Sequence, residues 1–203
     1  ALPIWVIIIA GNHDRIRLSS AVLSFSWCPN VTFIDSEELT SYYFRDINTE
    51  VTGFSYHTAE ITEPRLNQAY APHDGRIHIL IGHGGDLNHT PIDKAALADS
   101  GFSYIALGHI HKPEVLIERK MAYCGSPEPL DKTETGAHGI FYGEINPSTL
   151  LVTKLEFIPM SKLRYIPLIV NVTPATTNTE LCLKMSHEID KRGTDNIYRF
   201  RVR

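Results

Sequence analysis

Three apolar segments of this 203-residue chain end in glycine-containing loops that carry histidine: Gly11-Asn12-His13-Asp14, Gly82-His83 and Gly108-His109-Ile110-His111. Imidazole nitrogen and amide oxygen together suit borderline divalent metals such as Mn, Fe or Zn. Glycine lets the backbone turn sharply and approach a ligand closely. Side chains two apart in an extended segment share a side, so His109 and His111 could serve one ion; a bend in the loop would send them to neighbouring ions. Each loop alone has a plainer reading. Gly11 to Asp14 could be a turn closed by an Asx hydrogen bond, and His83 an ordinary strand-end histidine. The order of the three loops and their matching contexts point beyond those readings.

The elements that must position them follow from pattern. Ile4 to Ala10 reads as a buried parallel strand, rich in Ile and Val. Residues 16 to 27 could form a short helix stopped by Pro29. Strands are expected around Val31 to Ile34, Tyr42 to Phe44 and Val51 to Tyr56. Thr62 to Gly75 reads as loop with some helix. Arg76 to Ile81 and Tyr104 to Leu107 are apolar strands, separated by a helix over about Ile92 to Asp99 with Gly101 as its stop. Open α/β sheets bind ligands at the carboxyl ends of their strands. The three histidine-bearing strands, placed side by side, would gather four histidines and an asparagine at one edge. Val115 to Arg119, Met121 to Tyr123, His138 to Ile145 and Leu150 to Phe157 look like antiparallel strands, the last two joined by an Asn146-Pro147-Ser148 turn. After Pro159 the pattern becomes βαβ-like. Tyr165 to Val172 and Ile197 to Val202 are strands around a helix over Thr179 to Lys191, with Leu181, Leu183, Met185 and Ile189 facing inward. Two domains are expected, 1–159 and 160–203.

Composition is that of a globular protein, with 43% hydrophobic and 21% charged residues. The formal net charge of -4 argues against a DNA footprint over the whole surface. A local cationic groove, or bound metal ions, would still be compatible with it. Cys28, Cys124 and Cys182 are odd in number and widely spaced, which fits reduced thiols and a cytoplasmic protein. Cys124 is expected to pack. No apolar run approaches the ~20 residues of a membrane span. The stretch from Leu2 to Ala10 lacks the charged start of a signal peptide. The chain begins without Met, directly inside its first strand, as a fragment or trimmed form of a longer protein would.

GNHD, then GH, then GHIH resembles the last three of five motif blocks in the calcineurin-like metallophosphoesterase superfamily. Tyr104-Ile105-Ala106-Leu107-Gly108-His109-Ile110-His111-Lys112-Pro113, followed by Tyr123-Cys124-Gly125-Ser126-Pro127-Glu128-Pro129, is similar to the SbcD-type and YhaO-type DNA repair exonucleases. The resemblance covers residues 3 to 158, and more weakly a capping domain after residue 160. It implies an αββα sandwich followed by a small α+β unit, and two divalent ions, Mn foremost, with Fe or Zn as alternatives. By position, Asn12, His83 and His109 would ligate one ion and His111 the other. His13 would sit over the reacting phosphate, with Asp14 orienting its ring. Two ions roughly 3.5–4 Å apart can clamp attacking and leaving oxygens. A nearby histidine can act as general acid, and an adjacent carboxylate raises its pKa.

Arg15, His89 and Lys112 are candidate substrate contacts near the strand ends; the plainer reading of each is a solvated surface group. Lys132 is a similar case. Glu128 and Asp131 read as rim residues or solvated charges, and His57, His73, His78, His138 and His187 fall outside the motif loops. The D-x-H and G-D-x-x-D blocks precede GNHD in the family and do not occur here. Asp35, Asp46, Asp74, Asp86 and Asp93 lie in the wrong order to replace them. The chain alone is therefore expected to be inactive and a longer protein active. The implied function is hydrolysis of DNA phosphodiester bonds with an SMC-like ATPase partner of the SbcC type, and homodimerisation through a segment upstream of this chain. Alternatives are a cyclic-nucleotide phosphodiesterase or protein phosphatase of the same superfamily, and a non-catalytic scaffold that keeps the fold.

Overall fold

The computed structural model describes residues 4–203. Leu2 and Pro3 of the first apolar stretch lie outside the described residues. The fold is mixed α/β, with a central mixed sheet and few helices, consistent with the expected sandwich. Two compact units are distinguished, one of Ala1–Gly125 with Phe141–Glu156, the other of Ser126–Ile140 with Phe157–Arg203.

In the first unit, β1 (Val6–Ile9) and β2 (Val31–Ile34) form a parallel pair. The six-stranded sheet is built from β3 (Thr40–Phe44), β4 (Thr49–Gly53), β5 (Ile77–His83), β6 (Tyr104–Gly108), β7 (Glu114–Ile117) and β8 (Met121–Tyr123). Their order in space is β3-β4-β5-β6-β8-β7. Strands β4, β5, β6 and β8 run parallel, and β3 and β7 close the two edges antiparallel. The antiparallel pairing expected from Val115 onward holds for β7 against β8; the unexpected feature is a second, parallel neighbour for β8. Its short connection returns it beside β6, where Ile105, Ala106 and Leu107 pair with Met121, Ala122 and Tyr123.

The core lies along this sheet. Leu80, Ile105 and Met121 are fully buried, with Leu66, Leu97 and Phe102 packed against them. Full burial of each such side chain stabilises by about 1.5–3 kcal/mol. The helix α2 (Lys94–Ala98) starts where the Asp93 carboxylate accepts the amides of Ala95 and Ala96. It turns Leu97 into the core.

Two further expectations are corrected here. The helix over residues 16–27 contracts to α1 (Ala21–Ser24). The Ile16 amide is spent on the Tyr56 carbonyl at 2.7 Å, and Trp27 stacks on Phe33. Those tertiary contacts hold the flanks extended against helix propensity. Nor do three histidine-bearing strands stand side by side in one sheet. Strands β5 and β6 are neighbours, but among the described residues β1 pairs only with β2. It is tied in differently: the Tyr56 amide donates to the Ala10 carbonyl at 3.0 Å, and the Ala10 amide donates to the Ser55 hydroxyl at 2.8 Å.

Strands β9 (Gly139–Ile145) and β10 (Val152–Pro159) form a two-stranded sheet. The Asn146 side chain caps their turn by accepting the amides of Ser148 and Thr149.

In the second unit, β11 (Tyr165–Val170) and β12 (Ile197–Val202) pair in parallel across α3 (Asn178–Arg192), the expected βαβ arrangement. Thr177 and Glu180 form a reciprocal capping box at the start of α3. Leu183, expected inward, is 64% exposed, whereas Leu181, Met185 and Ile189 are partly covered. Glu128 accepts the amide of Lys162 at 2.8 Å, so it ties a loop rather than lying free as a rim charge.

Candidate metal centre

The carboxyl ends of β1, β5 and β6 deliver the three loops to one place. Strand β5 is covered on both faces, as a central parallel strand must be, and ends at His83. Gly11 makes the convergence possible. A Cβ there would lie 2.5 Å from His83 Cε1 and 2.7 Å from each ring nitrogen, so the ring rests directly on the backbone of the first loop. His83 Nε2–H then donates to the Asn12 amide oxygen at 2.8 Å. Tyr56 supports the same histidine from beneath. Its hydroxyl bonds the His83 carbonyl at 3.0 Å and Thr90 Oγ1 at 2.7 Å, and its ring meets the imidazole edge-on.

The remaining histidines gather around this pair. The His83 and His109 ring centroids are 5.1 Å apart, and those of His89 and His109 are 4.6 Å apart. Burial first, then repulsion from His109, His89, His13 and His111, pushes His83 down to about 4. It is therefore a neutral imidazole near pH 7, the form that ligates metals.

The loop after β5 adds a residue that sequence reasoning passed over. Asp86 Oδ2 accepts His109 Nε2–H at 2.7 Å, and both carboxylate oxygens accept His89 Nδ1–H, at 2.8 and 2.9 Å. Oδ1 also accepts the backbone amides of Asn88 at 2.8 Å and His89 at 2.9 Å. Burial raises the Asp86 carboxyl, but the hydrogen bonds from His109 and His89 outweigh it and hold the group below the usual carboxylate range. The only sequence signal was local: Gly84-Gly85-Asp86 followed at three residues by His89. Tyr56 gave no signal at all.

The other expected site residues fall as follows. Asn12 is buried, while His13 and Asp14 are exposed along an open groove of about 420 Å³. No hydrogen bond joins His13 to Asp14 among the described residues. Arg15 lines the same groove, and its guanidinium turns back to donate to the Asn12 carbonyl at 3.2 Å. His111 and Lys112 are exposed beyond β6. His89 lies inside the cluster. Cys124, expected to pack, is an exposed free thiol.

These donors fit divalent ions. Asn12 Oδ1 and the His83 imidazole lie side by side, as two ligands of one ion do. The Asp86 carboxylate and the His89 and His109 imidazoles bring oxygen and nitrogen atoms within 4.8 Å of one another. Uncharged nitrogen and oxygen donors beside one carboxylate suit borderline metals.

Residues 2–113 match the family described as calcineurin-like phosphoesterase. The chain is also similar to a protein of Bacillus subtilis (strain 168) named uncharacterized metallophosphoesterase YhaO. The two are 31% identical over 149 residues, which is 68% of this chain and 36% of the relative. The chain therefore spans well under half the length of that relative. No helix among the described residues is long and apolar enough to cross a membrane.

Proposed function

Since the chain belongs to the calcineurin-like phosphoesterase family, we propose that it carries part of the active site of a metal-dependent nuclease that hydrolyses phosphodiester bonds in DNA. The observation that carries this reading is the meeting of Asn12 and His83 at 2.8 Å, with His109 beside them. Three segments remote in sequence bring a neutral N/O donor set to the strand ends, where α/β sheets bind their ligands. DNA is favoured over other phosphoesters by Gly125-Ser126-Pro127-Glu128-Pro129 and by the βαβ unit, both in keeping with SbcD-type and YhaO-type nucleases.

Asn12, His83 and His109 would hold one divalent ion and His111 contribute to a second, Mn being the proposed metal. Bound ions supply Lewis-acid polarisation of the phosphoryl oxygen and a hydroxide-like nucleophile near neutral pH. The chain's own residues do the rest. His13, exposed on the groove, protonates the leaving oxygen, with Asp14 next to it in the same loop. Arg15 has five N–H donors and spends one on the Asn12 carbonyl, so the others can bind phosphate while the loop stays fixed. Lys112 and His89 complete the proposed substrate contacts. The proposed partner is an SMC-like ATPase of the SbcC type, in the cytoplasm.

The test is a substrate panel in Mn²⁺ on the full-length protein: linear duplex DNA, bis-p-nitrophenyl phosphate, cyclic AMP and a phosphopeptide. Cleavage of DNA and of the model diester, abolished by a chelator, is the expected result. Hydrolysis of cyclic AMP or phosphopeptide without DNA cleavage would overturn the DNA assignment. A protein that binds no metal and cleaves nothing would be a scaffold.

A further inference from the structure

We propose that Asp86 is a positioning residue of the metal centre: it fixes the tautomer of His109 so that Nδ1, not Nε2, is presented to an ion. The inference rests on the metal-site reading above and adds a residue outside the motif loops.

The loop that holds Asp86 is built around it. Gly84 and Gly85 have φ of 145° and 120°, where side chains are rarely tolerated, and a Cβ on Gly85 would sit 1.8 Å from the Tyr123 hydroxyl oxygen. The Tyr123 hydroxyl donates to the Gly84 carbonyl at 2.9 Å, and the Gly85 amide donates to the His89 carbonyl at 2.7 Å. The loop is pinned again from outside: the Ile61 amide donates to the Asn88 carbonyl at 2.9 Å, and the Thr90 amide to the Ile61 carbonyl at 2.6 Å. Across from it, His109 is held at φ 93°, a strained conformation for a side-chain-bearing residue. Such strain persists only where surroundings over-determine it, and it clusters at functional sites. Two rigid, costly backbone arrangements thus bring one carboxylate to one imidazole.

Positioning, rather than direct ligation by Asp86, follows from counting lone pairs. An ionised carboxylate offers about four acceptor sites. Asp86 uses its two oxygens on two backbone amides, His89 Nδ1–H and His109 Nε2–H. It is saturated, with no lone pair left for an ion. A carboxylate accepts only, so the proton must reside on His109 Nε2, and Nδ1 keeps its lone pair. Carboxylate partners of this kind orient metal-bound histidines, and losing one typically costs 10- to 100-fold in metal affinity.

Asp86→Asn separates this role from a purely structural one. The new side-chain oxygen must stay on the Asn88 and His89 amides, so the loop remains capped. Its NH₂ group then faces His109 Nε2 and can only donate. His109 must shift its proton to Nδ1, and the ligating lone pair is lost. The first readout is the two-bond ¹H–¹⁵N histidine spectrum of the metal-free protein. His109 should be the Nε2–H tautomer in the wild type and the Nδ1–H tautomer in D86N. The second is Mn²⁺ affinity by titration calorimetry, expected to fall about 10- to 100-fold in D86N. Its metal-free thermal midpoint should stay unchanged. The control is Asp74→Asn, the same change at the other Asp–His contact, which should leave Mn²⁺ affinity intact. An Nδ1–H His109 in the wild type, an ion bound at Nε2, or unchanged affinity in D86N would each overturn the proposal. If D86N fails to fold, the wild-type tautomer still decides. None of these readouts uses a substrate, so a protein that binds Mn²⁺ but spares DNA would sink only the proposed substrate.

Discussion

Strand β5 carries a histidine near each end, and each lies in a cluster of histidine and aspartate. At its start, His78 Nε2–H donates to Asp74 Oδ1 at 2.9 Å, and Glu50 Oε1 lies 3.5 Å from Nδ1. Past its end, Asp86 joins His89 and His109 beside His83. The two clusters differ in counter-charge. Arg76 bonds both Asp74 and Glu50, and together with His78 it holds the Asp74 carboxyl well below the usual carboxylate range. The first cluster carries its own cation in an ion-pair network. No lysine or arginine bonds Asp86 among the described residues. There a carboxylate, an amide oxygen and several imidazoles converge. Histidine and aspartate alone do not distinguish the two ends; a guanidinium bonded to the carboxylates does.

The sharpest way to break this comparison is to remove one histidine from each end. His83→Ala should lower Mn²⁺ affinity by more than about 100-fold, exceeding the loss of an outer partner. His78→Ala should leave that affinity within about twofold and instead cost about 1–3 kcal/mol of stability, since a buried network loses a member. Calorimetric metal titration and urea unfolding of both variants check the pair. Equal metal loss in the two would erase the distinction.

A second effect concerns what the loops tolerate. Gly85→Ala should destabilise by about 2–4 kcal/mol, combining a positive φ with a clash against Tyr123. Gly75→Ala, at φ 80° with open space around it, should cost only about 1–2 kcal/mol, the left-handed backbone penalty. Denaturant midpoints rank the two, and a reversed order would show that the site loop yields more easily than its geometry implies.

The smallest effect is alkaline. Burial, first, pushes the Tyr123 hydroxyl up to about 12, above the ordinary value near 10. Between those pH values the unfolded chain releases the proton while the folded chain keeps it. Stability from this group is therefore fully present below pH 10 and is lost as pH rises toward 12. Tyr123→Phe should flatten that part of the stability profile, measured by thermal unfolding across the window. An unaltered slope would assign the alkaline loss to other groups, Tyr104 being the next candidate.

Much of this was legible locally. The spans Val31–Ile34, Met121–Tyr123 and Ile197–Val202 follow directly from β-branched and apolar runs. Glycine marks where β5 and β6 reach the site. The convergence of Asn12 and His83, 71 residues apart, was expected from matching strand-end contexts. The helix expected over residues 16–27 failed because Ile16 and Trp27 answer to distant partners.

By itself the sequence determined the donor inventory, the glycines that permit close approach, and most strand positions, because these depend on residue type and short-range periodicity. Tertiary structure decided the rest. It placed β1 outside the six-stranded sheet yet seated its loop against His83. It put Arg76 on one carboxylate and left Asp86 to the histidines. Asp86 and His109 are 23 residues apart and share no motif. Their hydrogen bond exists because β5 and β6 run parallel in register, so that the loops leaving them meet. Register and loop path are properties of the assembled sheet, which no local pattern encodes.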